Sequence, residues 1–290
     1  MSVLCLIANP QEPMFDVAIA GAIHREIGGE LNWLNHGIAC EIVAPRAPEP
    51  LAIARAALGD APVDICEVSQ SWRRKKLLIA DMDSTMIQQE CIDELADAVG
   101  IKAEIAAITE RAMRGELDFE QALMTRVALL KGLDRKAMEE VRREKITLMP
   151  GGRALVQTMK AYGAHTALIS GGFTFFADFF AKRIGFDEAT ANTLEFDGDR
   201  LAGTVTLPIV DKQIKLRRLK ALAEELQIGL EQTLAVGDGA NDLDMIRAAG
   251  LGVAYRAKPA VAAAAGARIE HGDLTALLYL QGYSDEEIVR

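Results

Sequence analysis

After residue 75 the chain sets four short apolar runs between long stretches of helical periodicity: KLLIAD (76–81), HTALIS (165–170), TLAVGD (233–238) and GLGVAY (250–255). A short run that is apolar on both alternating faces predicts a strand buried on both sides. Strands that alternate with helices predict a parallel sheet covered by helices, an α/β Rossmann-like core. The gap between the first two runs is far longer than one crossover helix requires. Residues 88–148 show helical periodicity broken at Gly100, Gly115 and Gly132, which predicts about four helices inserted directly after the first strand.

Residues 1–72 follow another rhythm. SVLCLIA and VDICEVS flank two helical segments, MFDVAIAGAIHREIGG and LAIARAALGD, and two short strands, ELNWL and IACEIVA, joined by the turn NHG. The order β-α-β-β-α-β is that of a small ferredoxin-like α+β sandwich. SQSWRRKK (69–76) reads as a polar, basic junction. The expected organisation is therefore a ferredoxin-like unit at 1–72 and an α/β unit at 73–290 with a helical cap at about 88–148. The two patterns look self-contained, because every motif suited to chemistry lies at or after Asp81. Further along, ANTLEFDGDRLAGTVTL predicts a β-hairpin around its DGD turn, and AVAAAAGA an alanine-rich helix.

Half of the 290 residues are hydrophobic, and the formal charge is −10. That charge argues against sequence-independent binding to nucleic acid or anionic membrane, which needs a basic surface. No run approaches the roughly eighteen apolar residues of a membrane span, and the N-terminus lacks the features of a signal peptide. Cys5, Cys40, Cys66 and Cys91 show no metal-ligand spacing and read as reduced, buried thiols. A cytoplasmic protein acting on a small molecule is the expectation.

In an open parallel sheet, ligands collect beyond the carboxyl ends of the strands. Three of the runs end in IADMDST, LISGG and AVGDGAND, so the sheet is expected to gather Asp81, Asp83 and Asp238 at one crevice. Carboxylates so placed repel each other unless a cation lies between them, and Mg2+ beside a phosphate is the usual such cation. Asp81 can attack phosphorus as a carboxylate nucleophile. Asp83 can protonate a leaving alkoxide and later take a proton from water. Ser84, Thr85, Ser170, Gly171 and Gly172 can cradle phosphoryl oxygens through hydroxyl and N–H groups. In KLRRLKAL (215–222), Lys215 shares a helical face with Leu219 and Leu222, near a helix N-terminus where a cation is disfavoured. A cation placed against both preferences calls for an anionic partner inside. Lys212, its neighbour and competitor, lacks the stripe position.

DMDST, the SGG after a strand, the lysine opening a helix and GDGAND are similar to the four motifs of the haloacid-dehalogenase superfamily. More narrowly, DMDSTMIQQECIDELA, LDFEQALMTRVALLKGL, LISGGF and AVGDGANDLDM resemble the phosphoserine phosphatases of that superfamily, over residues 76 to about 270. The resemblance implies Mg2+-dependent hydrolysis of O-phospho-L-serine, the last step of L-serine biosynthesis, through an aspartyl-phosphate on Asp81. It implies Asp83 as acid and base and Lys215 as the phosphoryl-holding cation. Mg2+ would lie on the Asp81 carboxylate, the Asp83 backbone carbonyl and Asp238, with Asp242 supporting the metal shell and Asn241 near the substrate. Residues 1–72 resemble the degenerate amino-acid-binding (ACT-type) domains attached to some bacterial members, through which a homodimer could form.

Phosphoserine presents an ammonium, a carboxylate and a phosphate. Glu90 can hold the ammonium, Arg126 can grip the carboxylate with its planar fork, and Phe119 can supply an apolar wall. Plainer readings exist for each: Glu90 as complement to a helix N-terminus, Arg126 as a solvated helix face, Phe119 as core. Two rival functions also fit the residues. One is a phosphatase or phosphotransferase on another small phosphomonoester, such as phosphohomoserine or phosphothreonine. The other is an inert amino-acid sensor, which a retained pair of repelling aspartates opposes.

Overall fold

The computed structural model describes residues 1–13, 15–113 and 116–290, and its elements are those of the described residues. The N-terminal unit contains β1 (Ser2–Ala8), α1 (Val17–Ile27), β2 (Glu30–Asn35), β3 (Ala39–Val43), α2 (Pro50–Leu58) and β4 (Val63–Ser69). Its antiparallel sheet runs β2-β3-β1-β4, the arrangement that the β-α-β-β-α-β order implies. Asp16 caps α1 by accepting from the Ala18 N–H, and Gly37 turns the β2–β3 hairpin at φ +77°.

The larger unit is built on a parallel sheet of β5 (Leu77–Ala80), β6 (His165–Phe173), β7 (Glu188–Asn192), β10 (Thr233–Gly237), β11 (Leu251–Tyr255) and β12 (Ala267–Ile269). The strand order is β12-β11-β10-β5-β6-β7, with every neighbouring pair parallel. The chain moves outward from β5 in one direction through β6 and β7, then returns to build β10 to β12 on the other side. The order therefore reverses between β5 and β10, where a crevice for ligands opens beyond the strand ends. The sequence signals four of these six strands. β7 and β12 escape because their residues, EATAN and ARI, carry no apolar run.

Helices α7 (Gly152–Ala161), α8 (Thr174–Ile184), α9 (Lys212–Glu225), α10 (Leu243–Ala248), α11 (Pro259–Ala262) and α12 (Ala276–Leu280) complete the unit. The alanine-rich stretch is thus a helix only over its first turn. It ends before Gly266, and the chain then extends into β12. No helix among the described residues is long and apolar enough to cross a membrane.

Four cap helices follow β5: α3 (Cys91–Ala98), α4 (Lys102–Met113), α5 (Phe119–Leu129) and α6 (Arg135–Glu144). Gly100 and Gly132 break them in the left-handed region, at φ +74° and +84°; the expected break at Gly115 lies outside the described residues. An antiparallel bridge between Ile87 and Leu148 closes the root of the cap. The hairpin β8 (Leu194–Asp197) and β9 (Arg200–Val205) forms around the DGD turn as the sequence indicates. It packs on α5, and the Arg135 guanidinium lies over the Phe196 ring at 3.8 Å, so the hairpin joins the cap.

The junction at 69–76 is exposed at most positions but is anchored through Arg73 and Lys75. Arg73 pairs with Glu41 at 2.6 Å, both nearly buried, and donates to the carbonyls of Tyr279 and Leu280. Val3, Cys5, Ile7, Ala39 and Cys66 share one core with Leu78, Leu277, Leu280 and Tyr283 of the larger unit. The opposite face of the same sheet packs Leu4, Leu6 and Ile42 on Ile23 and Ile27 of α1. SVLCLIA is apolar at nearly every position because both of its faces are covered. The buried Asp64 carboxylate accepts N–H bonds from Glu270, His271 and Gly272, a further tie across the seam. All four cysteines are free and buried.

Candidate active site

β5 delivers Asp81 to the crevice, and the Asp81 N–H bonds to the Val236 carbonyl of β10, fixing the strand ends side by side. The chain then turns sharply: the N–H groups of Thr85, Met86 and Ile87 all donate to the Met82 carbonyl, with Ser84 at φ +53°. A non-glycine residue in the left-handed region is costly, and such strain collects at functional turns. Asp81 is buried, and its Oδ1 accepts from the Met82 N–H at 2.7 Å. Oδ2 is left facing Lys215 Nζ at 2.8 Å and Asn241 Nδ2 at 3.5 Å.

Lys215 has no solvent exposure at all, as its place on the leucine stripe of α9 requires. Its ammonium bridges Asp81 and Asp242, the latter at 2.7 Å. Burial opposes the charge, but the Asp242 and Asp81 carboxylates outweigh it and hold the lysine above its ordinary pKa. The second Asp242 oxygen accepts from the Gly239 N–H at 3.1 Å. Asp242 is therefore tied down on both oxygens.

The carboxylates that come together are Asp81, Asp238 and Asp242, each offering an oxygen within 4.8 Å of the others. The sequence pattern led instead to Asp83, rather than Asp242, as the third member of that cluster. The Asp83 side chain turns away: Oδ1 accepts from the Cys91 N–H that opens α3, at 2.8 Å, and Oδ2 from the Ser170 hydroxyl at 3.2 Å. An i+2 residue on an extended chain returns to the same side, but the strand ends at Ala80 and the turn that closes on the Met82 carbonyl takes Asp83 out of that alternation. Burial, then the Glu90 and Asp81 charges, raise Asp83 to about 7. Asp238 is likewise pushed to about 7 by burial and by Asp81 and Glu90, with Lys258 and Lys215 offsetting only part.

That imbalance is a test of whether a divalent cation fits here. The donors are hard carboxylate oxygens in close array, and the Lys215 ammonium alone does not neutralise them. Such a set suits Mg2+ or Ca2+ and not a thiophilic metal.

Gly171 and Gly172 sit on β6 where it runs past the crevice. A side chain at Gly172 would come within 2.7 Å of Asp83 Oδ2, and one at Gly171 within 3.1 Å of the Phe119 ring. Room therefore requires glycine at 172, whereas at 171 the partly exposed Phe119 ring would have to give by a few tenths of an ångström. The Gly172 N–H bonds to the Ser170 hydroxyl at 2.8 Å, while Asn192 holds the Gly171 carbonyl. Phe119 opens α5 behind the Asp118–Gln121 capping box and is partly exposed above Gly171, not buried in the cap core.

Glu90 stands at the N-cap of α3 without capping it; its carboxylate accepts from the Ser84 hydroxyl at 2.6 Å. Arg126, on α5, donates to the Ala122 carbonyl and the Thr109 hydroxyl. No carboxylate lies within 4.0 Å of it among the described residues, although Asp93, Glu90 and Asp83 exert an attraction from further off. It is a half-buried cation without a close counter-ion among the described residues. Lys258, on the loop after β11, carries no motif in the sequence, yet its charge acts on both Glu90 and Asp238. Its signal is positional: a polar residue shortly after the fourth apolar run, GLGVAY.

The family described as haloacid dehalogenase-like hydrolase matches residues 78–247, well over half of the chain. The chain belongs to that family. A phosphoserine phosphatase of Streptomyces coelicolor is 48% identical over 240 residues, covering 82% of this chain and 58% of its own length. The chain thus spans less than two thirds of that relative. Among solved haloacid dehalogenase-like hydrolases, the unliganded probable phosphoserine phosphatase of Vibrio cholerae superposes with a TM-score of 0.81 at 32% identity. That match covers 99% of this chain and 88% of the other, so it includes the N-terminal unit. A structure described as a phospho-aspartyl intermediate analogue of phosphoserine phosphatase gives 0.66 at 38% identity, over 71% of this chain and 98% of the other.

Proposed function

We propose that the chain hydrolyses O-phospho-L-serine to L-serine and phosphate through an aspartyl-phosphate on Asp81. The observation that carries this reading is the buried Lys215 bridge between Asp81 and Asp242, with the Asp83 carboxylate held separately by Ser170 and Cys91. It leaves one aspartate restrained beside a cation and a second, held apart from that cation, to exchange a proton. The likeness to the Streptomyces coelicolor phosphoserine phosphatase supports the substrate.

Asp81, Asp238 and the Asp83 backbone carbonyl are the groups that would hold Mg2+, with Asp242 fixing Lys215 behind them. When bound, the ion supplies positive charge that lets an anionic nucleophile approach an anionic phosphate. Asp81 Oδ2 forms the new bond to phosphorus as the ester oxygen departs. Asp83, at about 7, is partly protonated near neutral pH and donates its proton to the leaving serine oxygen. The resulting carboxylate then takes a proton from the water that attacks the aspartyl-phosphate, and phosphate leaves with Asp81 regenerated. Lys215, the Ser170 hydroxyl and the backbone N–H groups around Ser84 and Gly172 gather the phosphoryl oxygens.

In the cap, Glu90 pairs with the substrate ammonium and Arg126 with its carboxylate, while Phe119 covers the methylene. Phosphate release from phosphoserine, phosphothreonine, phosphohomoserine and phosphoethanolamine, with and without Mg2+, tests the reading. Mg2+-dependent preference for phosphoserine is expected. Preference for a longer substrate would move the assignment within the family, and inactivity on all four would overturn it.

A further inference from the structure

A cavity of about 480 Å3 lies on the seam between the N-terminal unit and the parallel sheet, far from the aspartates. Lys75 and Trp72 of the junction, Ser69 and Ser71 after β4, and Leu251 and Arg247 line it. Lys75 precedes β5 and Leu251 opens β11, so the cavity faces the amino ends of strands whose carboxyl ends carry the active site. Its volume falls in the range of small-molecule sites, roughly 300–1,000 Å3.

Lys75 is only 8% exposed, yet among the described residues its ammonium has a single acceptor, the neutral Glu231 carbonyl at 2.7 Å. No carboxylate lies within ion-pair distance among the described residues. Burial, partly offset by the Glu231 charge, lowers its pKa to about 8. Its neighbour Arg73 is already consumed by Glu41. Arg247 is exposed at the same cavity and has no ion pair among the described residues. A buried ammonium with unused N–H groups is unfavourable unless an anion completes it. Trp72 adds an independent sign: a bulky residue held at φ +54° with 57% of its surface exposed. The left-handed backbone costs a bulky residue, and the open part of the ring is apolar surface at the cavity.

We propose that this seam cavity binds a small organic carboxylate. Its anionic end completes Lys75 and Arg247, the Ser69 and Ser71 hydroxyls take its polar edge, and its apolar part lies between Trp72 and Leu251. Glu67 and Glu231 also face the cavity, so a ligand of high negative charge is disfavoured. Monocarboxylates are favoured over phosphate and dicarboxylates.

The test titrates the full-length protein with propionate, benzoate, succinate and inorganic phosphate while tryptophan fluorescence is read. A Trp33→Phe background makes Trp72 the sole reporter. A saturable response to propionate or benzoate is expected, weaker or absent with succinate and phosphate. Lys75→Met, which keeps the buried stem, should weaken it by at least about tenfold, the scale of one charge-assisted hydrogen bond. The exposed Arg247→Ala provides a second variant should Lys75→Met fold poorly, with a smaller loss expected. The absence of any saturable response, or a response unchanged in both folded variants, would overturn the proposal.

Discussion

Lys215 shows how a single residue can announce a site. Its spacing with Leu219 and Leu222 marks it as buried, and the fold sets its ammonium between two aspartates. The Asp81, Asp83 and Asp238 positions are legible for a similar reason, since each stands where an apolar strand stops. What the residue pattern does not supply is direction. Nothing in DMDST indicates that the chain turns on the Met82 carbonyl, or that the Asp83 carboxylate goes to Cys91 and Ser170 and not to the carboxylate cluster. On the assigned role, Asp83→Asn should lower phosphoserine turnover by about 10²–10⁴-fold while largely sparing activated aryl phosphates, whose leaving groups need no proton. Steady-state rates on both substrates decide it, and equal losses would remove Asp83 as the acid. Asp238 allows a pH argument. Its folded pKa of about 7 exceeds the ordinary carboxylate value, so the folded state holds its proton where the unfolded chain has released it. Its contribution to stability therefore falls as pH rises from about 4 to about 7. Without divalent cations, the melting temperature of the native protein relative to Asp238→Asn should fall across that window. Added Mg2+ should stabilise the native protein more at pH 8 than at pH 5. A difference that is flat or rises with pH would contradict this.

The cap helices follow from periodicity and glycine breaks, so four elements of one class are readable without knowing their packing. The hairpin is readable as a hairpin, because DGD is a turn signal, but its attachment to α5 and Arg135 rests on contacts distant in sequence. Short strands without apolar runs, β7 and β12, leave no local trace. Within the cap, Arg126 is held by Ala122 and Thr109 and meets no close carboxylate among the described residues, which leaves its charge available to a ligand. Arg126→Ala should raise KM for phosphoserine roughly 10- to 100-fold, the scale of a charge-assisted pair, and leave phosphoethanolamine nearly unaffected. Kinetics on the two substrates make the comparison. Equal losses would mean that the arginine only braces α4 against α5.

At the scale of the whole molecule, the two expected units share a core. The junction looks polar because Arg73, Arg74 and Lys75 are charged, but charge alone does not reveal that Glu41, Glu287 and the Glu231 carbonyl are waiting for them. The better signal is SVLCLIA, too apolar for a strand with one wet face. A chain starting near Lys75 would uncover α12, which packs on β1 and β3 and buries Leu277, Tyr279 and Leu280 in the shared core. Each such side chain contributes about 1.5–3 kcal/mol when fully buried, so the melting temperature should fall by roughly 10 °C or more. Any soluble fraction should retain phosphatase activity, since the assigned residues all follow Lys75. An unchanged melting temperature would show that the seam contributes little.

The proposed reaction requires that phosphoserine phosphorylates Asp81 covalently. Rapid acid quenching of the enzyme during turnover of 32P-labelled phosphoserine, followed by peptide mapping, tests it directly. Label is expected on the peptide carrying Asp81, released by hydroxylamine as an acyl-phosphate should be, and absent from Asp81→Asn, whose turnover should also fall by several orders of magnitude. Label on another residue, or brisk turnover by Asp81→Asn, would contradict the account.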